Sequence, residues 1–238
     1  MTEKELIDEI REYCLLHADQ KIVKKYSHYF KEGYDAYGLV FGLITEKSAE
    51  ILSRNTLTMA TVLSAGNTLF RSGKYEEGSF AIWLLKGFKK QFSFSTFQGI
   101  GKWFENGISN WAHTDGICSE LLSVLIRGKN IVPRDFSGWI ISPLKFKRRA
   151  VPVSLLKLLN SEADLQDLFN LIEPLMTDNE RVVQQGTGWF LREAWKRKPE
   201  ATEQFLMKWK DLSPRLIFQY ATEKMAKEHK EIFRKSKN

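Results

Sequence analysis

The sequence predicts an all-α chain, and three observations carry that prediction. Apolar residues recur at helical spacing from end to end. Strand-like alternation is almost absent, and the breaks between periodic segments hold residues that start and stop helices. Periodic segments run over 3–16, 19–31, 46–54, 56–72, 76–89, 95–107 and 110–127. Beyond a loop at Gly128–Pro133 they continue over 135–141, 146–159, 164–175, 180–197, 200–209 and 214–235. Helices joined by short turns pack antiparallel. Pairs recurring at about 40 residues point to HEAT-like stacking, a curved α-superhelix (solenoid) of about six repeats.

The elements follow in order. Segments 3–16 and 19–31 read as the opening pair. Pro143, Pro174 and Pro199 fall where helices should stop or start, because proline supplies no N–H to the preceding turn. Ser161 precedes Asp164 at capping-box spacing. Ser213-Pro214 places an N-cap residue before a proline at the first helical position. No Pro- or Ser-rich linker divides the chain, so one domain over 1–238 is expected. From Lys224 to Asn238 six Lys or Arg face two Glu, which reads as a solvated final helix, with a DNA-contacting tail as the alternative.

Composition narrows the function classes. The 36 Lys and Arg against 29 Asp and Glu give a net charge of +7, which favours polyanionic partners over acidic proteins. Cys14 and Cys118 have no metal-ligand spacing and are too few for a disulfide framework, so reduced buried thiols are expected. The charged N-terminus lacks the apolar core of a signal peptide. No apolar run reaches the roughly 18 residues of a membrane span. A soluble cytoplasmic protein is expected. Gly99-x-Gly101 lies in a helical context and does not indicate nucleotide binding.

Among side chains able to do chemistry, Trp111 and Asp115 stand out. At i and i+4 they share one helix face, so a large π-surface lies beside a carboxylate. Gly116 weakens the helix there and would leave the carboxylate accessible. His113 points off that face and reads as a surface histidine, like His17, His28 and His229. Cys118 has no His or Lys arranged to activate it. Trp83, Trp103, Trp139 and Trp195 read as core, and so does Trp209. Periodicity alone would place Trp111 and Trp189 in the core as well. Lys145, Lys147, Arg148 and Arg149 form a cationic run that Lys196, Arg197 and Lys198 could extend.

Several runs together resemble the AlkD-type DNA alkylation repair glycosylases, over nearly the whole chain. The opening is similar in Phe30-Lys31-Glu32-Gly33, Tyr37-Gly38 and Phe41-Gly42-Leu43. Asn110-Trp111-Ala112-His113-Thr114-Asp115 resembles the family's Trp-x-x-x-Asp motif, and Lys147-Arg148-Arg149-Ala150 the basic step that follows. The run from Gln184 to Glu193 is the closest match, and Ser213-Pro214-Arg215 with Tyr220–Lys224 resembles the closing helix.

The resemblance implies an α-superhelix cradling duplex DNA and excision of cationic N3- and N7-alkylpurines. It implies Asp115 as catalytic carboxylate, with Trp111 and Trp189 as aromatic walls beside the deoxyribose. It implies backbone contacts from Arg149 and Tyr29, with Lys147 and Arg148 beside them. Gly186 and Gly188 would let a DNA backbone approach Trp189. An alkylated purine already carries positive charge and leaves without a general acid. The barrier is an oxocarbenium-like sugar, which a carboxylate and aromatic faces stabilise. Such chemistry needs no metal or cofactor and suits a monomer. The departures Thr45-Glu46-Lys47-Ser48 and Gln219 keep a second reading open, a non-excising binder of DNA structures on the same scaffold. A protein-interaction scaffold is a third, which leaves the basic run unexplained.

Overall fold

The computed structural model describes residues 1–160 and 164–234. Every regular element among them is helical. The chain divides into two compact units, Met1–Ile131 and Val132–Asn238. The division falls within the expected loop at Gly128–Pro133.

The first unit holds α1 (Glu3–Leu16), α2 (Gln20–Ser27), α3 (Phe41–Ser53), α4 (Met59–Arg71), α5 (Tyr75–Gly87), α6 (Phe94–Glu105), α7 (Trp111–Ile117) and α8 (Ser123–Arg127). Capping sets several of these starts. Thr2 and Glu5 close a capping box on α1, with Thr2 N donating to Glu5 Oε2 at 2.7 Å and Glu5 N to Thr2 Oγ1 at 3.2 Å. Asp19 caps α2 and Thr58 caps α4. Helix α5 lies at the centre, packed against α1, α3, α4 and α7. Phe80, Leu84 and Leu85 on α5 are fully buried, as are Leu6, Ile10, Ile51 and Trp103 around it. Each such side chain contributes about 1.5–3 kcal/mol through lost apolar exposure.

The second unit opens with a 3-10 turn at Pro133–Phe136 and α9 (Ser137–Ile140). It continues through α10 (Lys145–Leu155), α11 (Leu165–Ile172), α12 (Arg181–Trp195), α13 (Pro199–Trp209), α14 (Arg215–Ala221) and α15 (Lys227–Glu231). Helix α12 is the hub, in contact with α10, α13 and α14. Its Phe190 and Leu191 are buried with Phe169 of α11, Leu206 of α13 and Phe218 of α14.

Several expectations need correcting. Helix α3 begins at Phe41, five residues before the periodicity suggested, so Phe41-Gly42-Leu43 is its first turn. The span 110–127 is interrupted by a π-helical turn at Cys118–Leu122, a feature that local periodicity does not encode. The last expected helix is two, because the turn after Ala221 lets both Met225 and Phe233 reach the interior. Helix α14 starts after Pro214 rather than on it, and the buried Ser213 hydroxyl has no hydrogen-bond partner among the described residues, so it caps nothing. Asp164 is itself the cap of α11, accepting from Gln166 N at 2.8 Å, and its expected partner Ser161 lies outside the described residues. The basic tail is described only as far as Arg234. Trp103 and Trp139 are core residues, whereas Trp83, Trp195 and Trp209 are half-buried. The Lys86 ammonium lies over the Trp83 ring, 3.9 Å from its centre, and Trp195 Nε1 donates to Glu203 Oε1 at 2.7 Å. Both cysteines are buried thiols, and burial pushes Cys14 well above the usual thiol range.

Candidate functional site

In the first unit, Asn110 fixes where α7 begins. Its Oδ1 accepts from His113 N at 2.8 Å, and its Nδ2 lies 2.9 Å from His113 Nδ1. His113 Nε2 is 2.8 Å from the Tyr75 carbonyl. A carbonyl only accepts, so Nε2 carries the proton and Nδ1 accepts from Asn110. His113 is therefore not the surface residue the sequence suggested. It is buried, and burial lowers its pKa to about 4, with the hydrogen bond to Tyr75 acting against that shift. Its ring stacks on Tyr75 at 4.7 Å. Gly78 makes room for it, since a Cβ there would stand 2.6 Å from the imidazole.

This anchoring puts Trp111 on the first residue of α7 and Asp115 one turn later on the same face. Trp111 is 37% exposed and Asp115 is half-buried. The π-helical turn begins three residues after Asp115, at Cys118. Trp111 Nε1 donates to the Tyr29 carbonyl at 3.2 Å, joining two residues that the sequence marked separately. Phe30 lies nearly parallel to both Trp111 and Tyr34, with ring centres at 5.6 and 4.6 Å.

The loop carrying Tyr29 and Phe30 leads to a stretch held by two buried carboxylates that sequence reasoning missed. Glu76 accepts from the N–H groups of Tyr37 at 2.8 Å, Gly38 at 2.8 Å and Leu39 at 3.0 Å. Glu77 pairs with Arg11 through two guanidinium nitrogens, Nε at 3.1 Å and Nη2 at 3.1 Å, and accepts from the Tyr37 hydroxyl at 2.9 Å. Gly38 is required in this loop. Its φ is +94°, and a Cβ would fall 2.1 Å from the Asp19 carbonyl oxygen. The only sequence signal was a carboxylate pair at the head of an otherwise apolar helix. The loop and the helices around it enclose a cavity of about 460 Å³, walled by Tyr26, Tyr29, Phe30 and Tyr34, by Phe41 of α3, Tyr75 of α5 and Trp111 of α7.

The second unit uses its motif residues differently. Arg148 donates to both carboxylate oxygens of Asp178, at 2.6 and 3.2 Å, and to the Ser142 carbonyl at 2.6 Å. Arg149 is 6% exposed and donates to the Val182 carbonyl at 2.7 Å. Lys147 is half-buried, its ammonium 5.4 Å from the Trp139 ring centre. Gln184 donates to the Asp178 carbonyl and Gln185 to the Tyr220 hydroxyl, each at 2.8 Å. Arg192 is paired with Glu193 and Glu223, and Lys196 with Glu193.

The glycines are a correction. Gly186 and Gly188 are both buried and face protein, not an approaching backbone. A Cβ on Gly188 would stand 2.5 Å from Tyr220 Cβ and 2.7 Å from the Ile217 carbonyl, so this glycine lets α12 and α14 meet. Trp189 is half-buried, and its indole has no ring stacking or hydrogen bond to another described residue.

Residues 11–225 match the family model of the DNA alkylation repair enzymes. The fold is similar to a solved structure described as a predicted DNA alkylation repair enzyme from Enterococcus faecalis. The TM-score is 0.76 at 18% identity, over 89% of this chain and 98% of that one. No curated protein matches the sequence.

Proposed function

The chain belongs to the DNA alkylation repair enzyme family, and from that premise we propose that it is a monofunctional DNA glycosylase. Its substrates are cationic N3- and N7-alkylated purines in duplex DNA, exemplified by 3-methyladenine and 7-methylguanine. The observation that carries this reading is Asp115, a half-buried carboxylate one helical turn beyond the exposed indole of Trp111.

The alkylated base leaves with the electron pair of the glycosidic bond, which neutralises its positive charge. The sugar is left oxocarbenium-like at C1′. Asp115 stabilises that charge electrostatically, as a fixed group aimed at charge that appears only in the transition state. It also accepts the proton as water adds to C1′. The products are free base and an abasic site. Trp111 presents a π-face to the sugar cation, an interaction of about 0.5–2 kcal/mol, and Trp189 occupies the family's second aromatic position. Tyr29 and Lys147 contact phosphates. A guanidinium has five N–H donors, so the internal acceptors of Arg148 and Arg149 are compatible with a phosphate contact as well. The protein acts as a monomer and calls on no cofactor.

The test is release of base from dimethyl-sulfate-treated duplex DNA, with abasic sites counted in parallel. Free 7-methylguanine and 3-methyladenine in step with abasic sites is the expected result. Salt-sensitive binding with no base released would select the non-excising DNA binder.

A further inference from the structure

We propose that the aromatic cavity of the first unit is a binding site for an unpaired nucleobase, with the lysines of α2 and the following loop holding the attached phosphates. The proposal rests on DNA being the ligand, which family membership implies. It does not rest on the glycosylase reaction.

The first observation is where exposed aromatic surface lies. Tyr26, Tyr29, Phe41, Phe94 and Trp111 are the exposed aromatic residues described in this unit. All except Phe94 line the one cavity, at 37, 57, 56 and 37% exposure. Exposed rings gathered at one place mark a recognition surface rather than the scatter usual on a protein exterior. At about 460 Å³ the cavity has the size of a small-ligand site.

The second observation is chemical. No carboxylate and no cation is among the lining residues. Burial raises the Tyr34 and Tyr75 phenols above their ordinary range, so the walls stay neutral. Such walls suit a flat, uncharged π-system, and every base offers one, which makes stacking tolerant of sequence.

The third observation is charge on and just after the helix that carries Tyr26. Lys21, Lys24 and Lys25 on α2 and Lys31 beyond it are exposed. None of the four forms an ion pair with a described residue. Lys25 stands 5.3 Å from the Tyr26 ring centre, so cation and stacking surface adjoin. Aromatic platforms bordered by cations that track a phosphate chain are the general solution for single-stranded nucleic acid. A paired base is already stacked inside its duplex and cannot enter, so the occupant is a base without a partner. Asp115 is not among the lining residues, but Trp111 and Tyr29 are, so the site adjoins the proposed reaction site and shares two side chains with it.

The test uses the full chain and fluorescence anisotropy at low salt. Two labelled probes of equal length and charge are compared: a short oligothymidylate, and an oligomer of abasic tetrahydrofuran nucleotides. The wild type should prefer the base-bearing strand by roughly tenfold or more. Phe41→Ala and Tyr26→Ala should each lower that preference while leaving the abasic strand bound as before. Lys24→Gln with Lys25→Gln should weaken both probes alike. Both aromatic side chains are exposed, and thermal melts establish that each variant folds. If Phe41→Ala does not, Tyr26→Ala decides alone. Equal binding of the two probes by the wild type, or a preference that survives the aromatic substitutions, overturns the proposal. Neither probe contains an alkylated base to release, so the outcome does not depend on base release.

Discussion

The two units place charge and aromatic surface in opposite ways. In the first, the buried charges Glu76 and Glu77 are spent on a loop, and exposed rings gather around the helix that carries Trp111 and Asp115. In the second, the cations of the motif are themselves the fasteners: Arg148 holds Asp178, Arg149 holds the Val182 carbonyl, and Arg192 pairs with Glu223. A cluster of Lys and Arg is therefore not by itself a phosphate-binding stripe. Where a carboxylate or carbonyl already accepts from a guanidinium, much of its field is answered inside the protein.

This contrast can be broken at several points. The largest expected effect is at the loop anchor. Glu76→Ala leaves three backbone N–H groups without their shared acceptor and should cost about 3–5 kcal/mol in urea unfolding. Glu76→Gln, which keeps an acceptor, should cost less. Equal losses from the two would show that a neutral acceptor contributes nothing there and that the charge itself holds the loop.

His113 gives the next effect, through pH. Its folded pKa is lowered to about 4 from an ordinary 6.5, so the unfolded chain takes up the proton first. Its contribution is complete above pH 6.5 and is lost as the pH falls toward 4, by roughly 3 kcal/mol. Urea midpoints measured across that window should fall more steeply for the wild type than for His113→Phe. Parallel curves would mean that the imidazole is not held neutral.

In the second unit the sensitive point is a glycine. Gly188→Ala forces a Cβ against Tyr220 and the Ile217 carbonyl and should cost about 1–3 kcal/mol. A neutral result would show that α12 and α14 can part without loss. The smallest effect belongs to Lys147. Replacing it with Ala should reduce the slope of log affinity for DNA against log salt by about 1. An unchanged slope would remove Lys147 from the interface.

Much of the fold was legible because it is local. The opening helix, the breaks at prolines and the loop at the unit boundary follow from periodicity and backbone chemistry. Caps formed by Asn110 or Asp164 use residues a few positions away. What stayed hidden depends on partners distant in sequence. Glu76 is buried because the N–H groups of residues 37–39 converge on it, and nothing near Glu76 announces that loop. Arg148 reads as a surface cation until Asp178, thirty residues on, is placed beside it. Gly188 reads as an opening until Tyr220 fills it. Of the site, Trp111 and Asp115 were legible as a helical pair. The aromatic walls from α2, α3 and α5 were not, because folding alone assembles them.

The most direct test of the proposed chemistry is the single-turnover rate of 7-methylguanine release by wild type and Asp115→Asn, with DNA affinity measured alongside. A group acting on transition-state charge should, on removal, lower the rate by roughly 10²–10³ while affinity changes little. Equal rates would contradict the assignment of Asp115. A rate that falls only in proportion to affinity would make it a binding residue instead.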